Sequence, residues 1–302
     1  MKKLWPILLV ALILLSGIAQ PLLADVSVEE YISGKNRVET SVAISRYGWI
    51  SASTVILASG ANRNLIDALA VAPLAGQEDA PILLSVDNRL DPVVIAEIKR
   101  LGARKVYVVG ALDQRVTDQL NATIFNLEVE VLRGKDRYET ADLINAKVKN
   151  PRGGFLIGAN ALADAVSAAP YAAANAYIIM LARPTGEYHS YQADFLRSTA
   201  AEGGGVSYVL GGPGLVHDVP GVPRIYGANR YATNKALRET LEFANTHVYM
   251  ADGEALVDAL TGSVLAAKNR AAIVLAPFNQ TARADFGDIT ASTRVYAFGG
   301  AK

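Results

Sequence analysis

The sequence of 302 residues has no cysteine and only three histidines. Without cysteine the chain cannot form disulfides, thiolate zinc sites or iron–sulfur clusters, and it has no thiol nucleophile. The histidines, His189, His217 and His247, lack the paired spacing of a zinc hydrolase. An excess of positive charge is also missing, because 29 basic residues balance 29 acidic ones. We therefore expect no metal, no cofactor and no nucleic-acid partner.

The N-terminus is the longest uncharged part of the chain. Two lysines near the start precede residues 4–24, which carry no charge, and residues 7–15 form an apolar run. A run of that length followed by small residues predicts a signal peptide over residues 1–24, with the mature chain beginning near Gln20 or Asp25. An uncleaved membrane anchor is the alternative. In either case we expect a secreted protein of the cell envelope or cell surface.

One motif occurs three times in the remainder of the chain. Each copy has a glycine, an arginine three residues later and a threonine three residues after that, and the copies begin at Gly34, Gly134 and Gly227. An apolar strand, an Asp-Ala pair, a second apolar strand and a strand ending in glycine follow each copy in that order. Anchors that recur in one order predict three repeats, which we place at 25–128, 129–221 and 222–302.

Short apolar runs alternate with helical stretches inside each repeat. Runs of four to six apolar residues are typical of strands buried on both faces. Residues 65–76 and 255–268 have helical character, and Asp91-Pro92 predicts the start of a helix that stops at Gly102. This alternation predicts an α/β fold of three tandem, small parallel-sheet modules that pack together. We assign the short strand before each motif to the repeat that the motif opens.

The motifs resemble the type 2 cell-wall-binding repeat, a family known from clostridial surface-layer-associated proteins and related wall-bound enzymes. In the first repeat the resemblance rests on Gly-x-x-Arg-x-x-Thr, Ala-Ser-Gly-Ala-Asn at 58–62, Asp-Ala-Leu-Ala at 67–70, Ala-Pro-Ile-Leu-Leu at 80–84 and Val-Val-Gly at 108–110. It covers about residues 29–302. The resemblance implies three repeats with pseudo-threefold symmetry, attached noncovalently to an anionic polymer of the cell wall.

The second and third repeats depart from the family pattern. Residues 176–180 read Ala-Tyr-Ile-Ile-Met and residues 272–275 read Ala-Ile-Val-Leu where Pro-Ile-Leu-Leu is expected. Ala232 also stands where the other two motifs have glutamate. These differences keep the fold pattern but argue against equal ligand binding by the three repeats.

The recurring arginines and aspartates are the candidate ligand-binding residues. An arginine beside a glycine at the start of a helix attracts an anion through its guanidinium and through free helix N–H groups. Alternatively, each arginine pairs with an aspartate of its own or a neighbouring repeat and holds the repeats in register. The threonines are more simply helix caps or first-turn residues. The predicted set is Arg37, Arg137, Arg230, Asp67, Asp164, Asp258, Thr40, Thr140 and Thr233.

These features favour a noncatalytic protein that binds an anionic polymer of the wall or surface, and that contacts a membrane only through an uncleaved signal segment. A cell-wall hydrolase of N-acetylmuramoyl-L-alanine amidase type is one alternative, because multidomain members of the family carry that label. It would need a nucleophile or metal constellation, and one aspartate repeated three times is not an acid–base pair. A self-associating surface-layer module is the other alternative.

Overall fold

The structure is a computed structural model that describes residues 28–300, apart from 62–64, 66, 69, 202, 203, 245 and 278–292. The signal peptide predicted for residues 1–24, with its cleavage positions near Gln20 and Asp25, lies outside the described residues. Within them, no helix is both long enough and apolar enough to cross a membrane.

Strands and helices alternate along the described chain, as the sequence predicts. The strands are β1 (Val28–Ile32), β2 (Thr54–Ser59), β3 (Ile82–Ser85), β4 (Lys105–Val109), β5 (Glu128–Leu132), β6 (Gly153–Gly158), β7 (Tyr177–Ala182), β8 (Tyr208–Leu210), β9 (Arg224–Ile225), β10 (His247–Asp252), β11 (Ala272–Ala276) and β12 (Arg294–Phe298). The helices are α1 (Arg37–Gly48), α2 (Val71–Gln77), α3 (Pro92–Leu101), α4 (Gln114–Thr123), α5 (Arg137–Asn145), α6 (Leu162–Asn175), α7 (Ser190–Ala201), α8 (Arg230–Thr240) and α9 (Val257–Lys268).

The strands form three four-stranded parallel sheets. Their orders are β3-β2-β4-β5 in unit 1, β7-β6-β8-β9 in unit 2 and β11-β10-β12-β1 in unit 3. The first strands of the three units, β2, β6 and β10, lie inside their sheets and are buried along almost their whole length, as expected where helices cover a parallel sheet. The predicted α/β class with three parallel-sheet modules is confirmed.

The fourth strand of each sheet comes immediately before a repeat motif in the sequence. β5 pairs with β4 and β9 pairs with β8, so each completes the sheet of the unit that precedes its motif. β1 pairs with β12, from Val28 opposite Val295 to Ile32 opposite Phe298. Our assignment of these strands to the repeats that they open is therefore wrong. Parallel pairing extends the preceding sheet instead, and unit 3 is closed by the first described strand.

The helix that follows each motif connects two neighbouring units. α5 leaves the edge of the unit 1 sheet and leads to β6, the first strand of unit 2. It packs against α2 of unit 1, and in the same way α8 packs against α6 and α1 packs against α9. The first helix of each unit thus lies on the central helix of the unit before it.

The central helices α2, α6 and α9 meet at the pseudo-threefold axis. The buried side chains that they share there are small, namely Ala72, Ala169, Ala173 and Ala267. Gly76 of α2 lies so close to α6 that an added Cβ would collide with the carbonyl oxygen of Ala173. Small residues permit this close approach, which brings the three units together around one axis as predicted.

Removing β1 should destabilise unit 3 rather than unit 1. A chain that starts at residue 33 leaves β12 as an unpaired edge, whereas a chain that starts at residue 26 keeps the sheet complete. We expect the amides of β12 to lose about tenfold or more of their hydrogen-exchange protection, since several backbone hydrogen bonds worth roughly 1 kcal/mol each are lost.

The amides of β2 and β4 in unit 1 are the internal control for this truncation and should keep their protection. Exchange that rises first in β2 would show that the first strand supports unit 1 instead.

Candidate functional site

Each motif arginine is the first residue of its helix and reaches the end of the first strand in its own sheet. Arg37 Nη1 donates to the carbonyl oxygen of Gly60 at 2.6 Å. Arg230 Nη1 donates to the carbonyl oxygen of Gly253 at 2.5 Å. Both acceptors follow directly on the strands β2 and β10. The guanidinium groups therefore lie at the carboxyl ends of the sheets.

The arginine of unit 2 makes the equivalent contact with an additional partner. Arg137 Nη1 is 3.4 Å from the carbonyl oxygen of Ala159 and donates to the side-chain oxygen of Asn160 at 3.1 Å. Like the other two motif arginines, it is half-buried. The three side chains thus hold equivalent places in three units.

The helix N–H groups behind these arginines are already occupied. The side chains of Asn36, Asp136 and Asn229 cap the helices and accept hydrogen bonds from backbone N–H groups two or three residues later. The sequence predicts free helix N–H groups that attract an anion, but the capping side chains accept hydrogen bonds from them instead. The guanidinium groups remain as the positive part of each site.

The three threonines lie in the first turn, not at the cap. Thr40, Thr140 and Thr233 are all buried. Their Oγ1 atoms accept hydrogen bonds from the N–H groups of the motif glycines, at 3.1 Å from Gly34, 3.0 Å from Gly134 and 3.0 Å from Gly227. This contact closes the motif loop onto the helix and accounts for the recurring Gly-to-Thr spacing. A ligand role for the threonines stays a prediction.

The three aspartates lie at the start of the central helices. Asp164 and Asp258 are in the first turns of α6 and α9, and Asp67 precedes α2. Negative charge is favourable at a helix N-terminus. These helices also begin at the carboxyl ends of their sheets, so the aspartates and the arginines occupy the same edge of the assembly.

Each aspartate packs against the glycine that ends the third strand of its unit. These glycines have positive φ values, of 74° at Gly110, 106° at Gly211 and 64° at Gly299. An added Cβ would be 2.6 Å from Asp67 Cβ at the first and 2.7 Å from Asp164 Oδ2 at the second, and it would collide with the Asp258 carboxylate at the third. The strand-ending glycines therefore belong to the site, a role that we did not predict although the pattern was visible.

The arginines act on the aspartates across the unit boundaries. The charge of Arg137 acts on Asp67 of unit 1, that of Arg230 on Asp164 of unit 2, and that of Arg37 on Asp258 of unit 3. This follows from the packing, because each first helix lies on the central helix of the preceding unit. Both interpretations of the arginines, as ligand contacts and as partners of an aspartate, therefore stay predictions.

Burial raises the pKa values of all three aspartates. The pKa of Asp164 rises to about 6, with Arg230 acting in the opposite direction. The pKa of Asp258 also rises to about 6 through burial, against the effect of Arg37 and with a further increase from Asp252. The Oδ1 atom of Asp258 is buried and accepts no hydrogen bond within the described residues.

More groups oppose the effect of burial at Asp67 than at the other two aspartates. Burial raises its pKa, while Arg137, the backbone N–H of Ala111 and Arg133 all lower it. Asp67 thus has two arginines nearby, where the other two aspartates have one that acts on their pKa. The three boundaries share one geometry but differ in charge.

The position of these groups in the sheet is one where α/β proteins bind ligands. In unit 1 the strand order reverses between β2 and β4, and Asp67 and Gly110 lie in the segments that follow those two strands. A crevice forms at the carboxyl ends of the strands where the order reverses. No group of three or more acidic or histidine residues that could hold a metal ion occurs in the described part of the chain.

Asp164 should make the protein less stable as the pH rises from about 4 to about 6. The pKa increases from 3.8 to about 6 in the folded protein, so the folded state holds the proton more tightly than the unfolded state. The stabilisation is complete below about pH 4 and is lost as the pH rises through about 6, with a size on the order of 3 kcal/mol. In urea denaturation between pH 4 and 7, Asp164→Asn should flatten the pH dependence of the free energy of unfolding.

Asp118→Asn is the control for this measurement, since the side chain lies on the exposed face of α4. It should leave the slope of the wild type in place. An unchanged slope in Asp164→Asn would contradict the effect of burial at this position.

Comparison with known proteins identifies what this arrangement is similar to. Two relatives come from Bacillus subtilis (strain 168). N-acetylmuramoyl-L-alanine amidase LytC is 28% identical over 261 residues, which are 84% of this chain and 51% of the amidase. Amidase enhancer is 27% identical over 251 residues, which are 83% of this chain and 35% of that protein. The chain thus spans about half the length of the first relative and about a third of the second.

Two solved structures share the architecture. Cwp6 from Clostridium difficile has a TM-score of 0.77 and 26% identity, over 90% of this chain and 46% of the solved chain. Cwp8 from the same organism has a TM-score of 0.75 and 27% identity, over 90% of this chain and 49% of the solved chain. The family model of cell wall binding domain 2 (CWB2) matches residues 31–113, 132–219 and 224–302. The resemblance that the motifs indicate is confirmed, and the chain belongs to the cell wall binding domain 2 family.

Proposed function

We propose that this chain is a noncatalytic protein that attaches to the cell envelope by binding an anionic wall or surface polymer at its three unit boundaries. One observation carries the proposal. At each boundary, at the carboxyl ends of the strands, the charge of an arginine of one unit acts on an aspartate of the preceding unit that is buried (Asp164) or half-buried (Asp67 and Asp258). Such a place combines a fixed cation with a carboxylate that can accept hydrogen bonds from sugar hydroxyls.

The arginines suit a phosphate or carboxylate group. A guanidinium carries five N–H donors, and the hydrogen bonds of Arg137 to Ala159 and Asn160 use only its Nη1 nitrogen. Those bonds fix the side chain, so less conformational entropy is lost when an anion binds.

The relatives support a binding role over a catalytic one. The same region of this chain matches a protein named as an amidase and a protein named as an amidase enhancer. A region shared by proteins with different names is better explained by a shared attachment function than by a single reaction. A wall hydrolase of amidase type and a self-associating surface-layer module are the alternatives that the experiments below separate.

Export is part of this proposal, since the polymer lies outside the cell. We expect the secreted protein to begin near Gln20 or Asp25, which N-terminal sequencing determines. A chain that retains Met1 and is found in the membrane fraction would show an uncleaved anchor instead.

Three weak sites on one rigid body can bind a repetitive polymer tightly. Without the two lysines of the predicted signal peptide, 27 basic residues face 29 acidic ones, so the whole protein has a charge of −2. The mature chain therefore does not attract a polyanion from a distance, and the arginines at the unit boundaries supply the electrostatic contact. Simultaneous binding at several sites raises the apparent affinity through effective concentration.

Replacing the motif arginines by glutamine should reduce retention on isolated cell envelopes stepwise. Each of Arg37→Gln, Arg137→Gln and Arg230→Gln should weaken retention severalfold, and the triple variant should abolish it, because each change removes the cation of one site. Retention of the wild type should also fall as salt rises, since exposed charges are screened beyond about 8 Å at 0.15 M ionic strength. Native and acid-stripped envelopes are compared in the same pull-down.

A matched control has three exposed arginines outside the boundaries replaced by glutamine, at positions 104, 197 and 294. It makes the same change in net charge and should bind as the wild type does. A folded triple motif variant with wild-type retention at every salt concentration would refute the proposal. Release of wall fragments would instead support the hydrolase, and oligomers formed without envelopes would support the surface-layer module.

A further inference from the structure

The inference below rests on the proposed function, and it concerns how the three boundaries differ. We call them boundary 1/2, with Asp67 and Arg137, boundary 2/3, with Asp164 and Arg230, and boundary 3/1, with Asp258 and Arg37. The pseudo-threefold arrangement puts equivalent backbone positions around each arginine. The side chains at two of these positions differ in charge among the three boundaries.

The first position directly follows the carbonyl group that the arginine contacts. It is occupied by Ala61, Asn160 and Glu254 beside Arg37, Arg137 and Arg230, respectively.

Glu254 places a fixed carboxylate next to the arginine of boundary 2/3. Its Oε2 atom is 3.4 Å from Arg230 Nη1, and its Oε1 atom accepts a hydrogen bond from the Tyr231 hydroxyl at 2.9 Å. An anionic ligand at Arg230 must therefore compete with a carboxylate of the protein itself. At boundary 1/2, Asn160 contacts Arg137 without a negative charge.

The second position directly precedes the motif glycine. Arg133 occupies it at boundary 1/2, where boundaries 3/1 and 2/3 have Ser33 and Tyr226. Arg133 Nε donates to the carbonyl oxygen of Gly110 at 2.8 Å. That glycine packs against Asp67, so the second guanidinium is held at the same site as Arg137.

Boundary 2/3 also has a second arginine, but the protein uses it internally. Arg224 donates to the carbonyl oxygens of Gly211 at 2.6 Å and Val216 at 2.8 Å, and it pairs with Asp218 at 2.8 Å. Its side chain is only 10% exposed. Arg133, in contrast, is exposed, so its charge is accessible from solvent.

We propose that boundary 1/2 is the principal anion site and that Glu254 weakens boundary 2/3 for a phosphate or carboxylate group of the polymer. Boundary 1/2 has two arginines around Asp67. Boundary 2/3 has Arg230 offset by Glu254 as well as by Asp164. Boundary 3/1 has Arg37 near Asp258, with Asp252 adding a further negative charge. Asn160 and Glu254 are therefore specificity-determining residues.

The test exchanges these two residues. Asn160→Glu should lower binding about two- to fivefold, and Glu254→Asn should raise it by a similar factor, which is the range for an exposed ion pair. The probes are a synthetic glycerol phosphate oligomer and an oligogalacturonate, which distinguish a phosphate ligand from a carboxylate ligand. Glu239→Asn, at an exposed position near the end of α8, is the charge control and should leave binding unchanged.

The order of the arginine variants gives the sharper result. In the wild type, Arg137→Gln should reduce binding more than Arg230→Gln does. In the double exchange variant, which has the net charge of the wild type, that difference should become smaller, because Asn160→Glu adds a carboxylate at boundary 1/2 and Glu254→Asn removes one at boundary 2/3, while Arg133 is kept. Equal losses in both backgrounds would overturn this inference.

Failure of the inference can be distinguished from failure of the proposed function. If the triple arginine variant loses binding while the single variants Arg137→Gln and Arg230→Gln lose equal amounts of it, only the proposed inequality of the boundaries is wrong. If the triple variant binds as the wild type does, the proposed function itself is wrong. Thermal unfolding verifies that each variant is folded. If Asn160→Glu does not fold, the test rests on Glu254→Asn, which removes a charge at an exposed position.

Discussion

The packing of each first helix on the central helix of the preceding unit is the contact on which the rest of the structure depends. This packing follows from the strand before each motif, which opens a repeat in the sequence but completes the sheet of the preceding unit in the fold. A strand that completes one sheet continues through the motif into the first helix of the next unit, so that helix must cross the boundary. β1 likewise completes the sheet of unit 3 and leads into α1 of unit 1, so the backbone crosses all three boundaries in the same way. Small residues at the axis then let the three central helices approach closely.

This connection also places an aspartate of each unit where its burial costs free energy. An aspartate at the start of each central helix is pushed against a glycine with positive φ, and burial raises its pKa. For stability alone, an apolar residue would be expected there. The neighbouring arginine and the helix N-terminus offset part of the desolvation penalty. A repeated arrangement that is not optimal for stability is typical of a functional site.

The threefold geometry does not make the three boundaries chemically equal. The backbone repeats, whereas the residues beside each arginine differ in charge, as Asn160 and Glu254 show. Membership of the cell wall binding domain 2 family accounts for the shared backbone arrangement. Sequence identities of only 26–28% to the amidase, Cwp6 and Cwp8 are compatible with such differences in side chains. The proposed binding is therefore better described by three related sites than by one site present three times.

Local patterns in the sequence determined the repeat motif, the α/β class and several element ends. Asp91 caps α3, Pro92 begins it and Gly102 ends it with a φ of 69°, as predicted, because these preferences depend on a few neighbouring residues. The recurring arginines, aspartates and glycines could likewise be read from their spacing. Which sheet includes the strand before each motif could not be read from the sequence, since either neighbouring sheet can pair with a short strand.

The tertiary structure alone decided which aspartate each arginine faces, which residues cap the helices at Asn36, Asp136 and Asn229, and why the third strands end in glycine. Those facts depend on helices and loops from different units meeting at one edge. The sequence separations involved, such as that between Asp258 and Arg37, run across most of the chain, and no local preference encodes them.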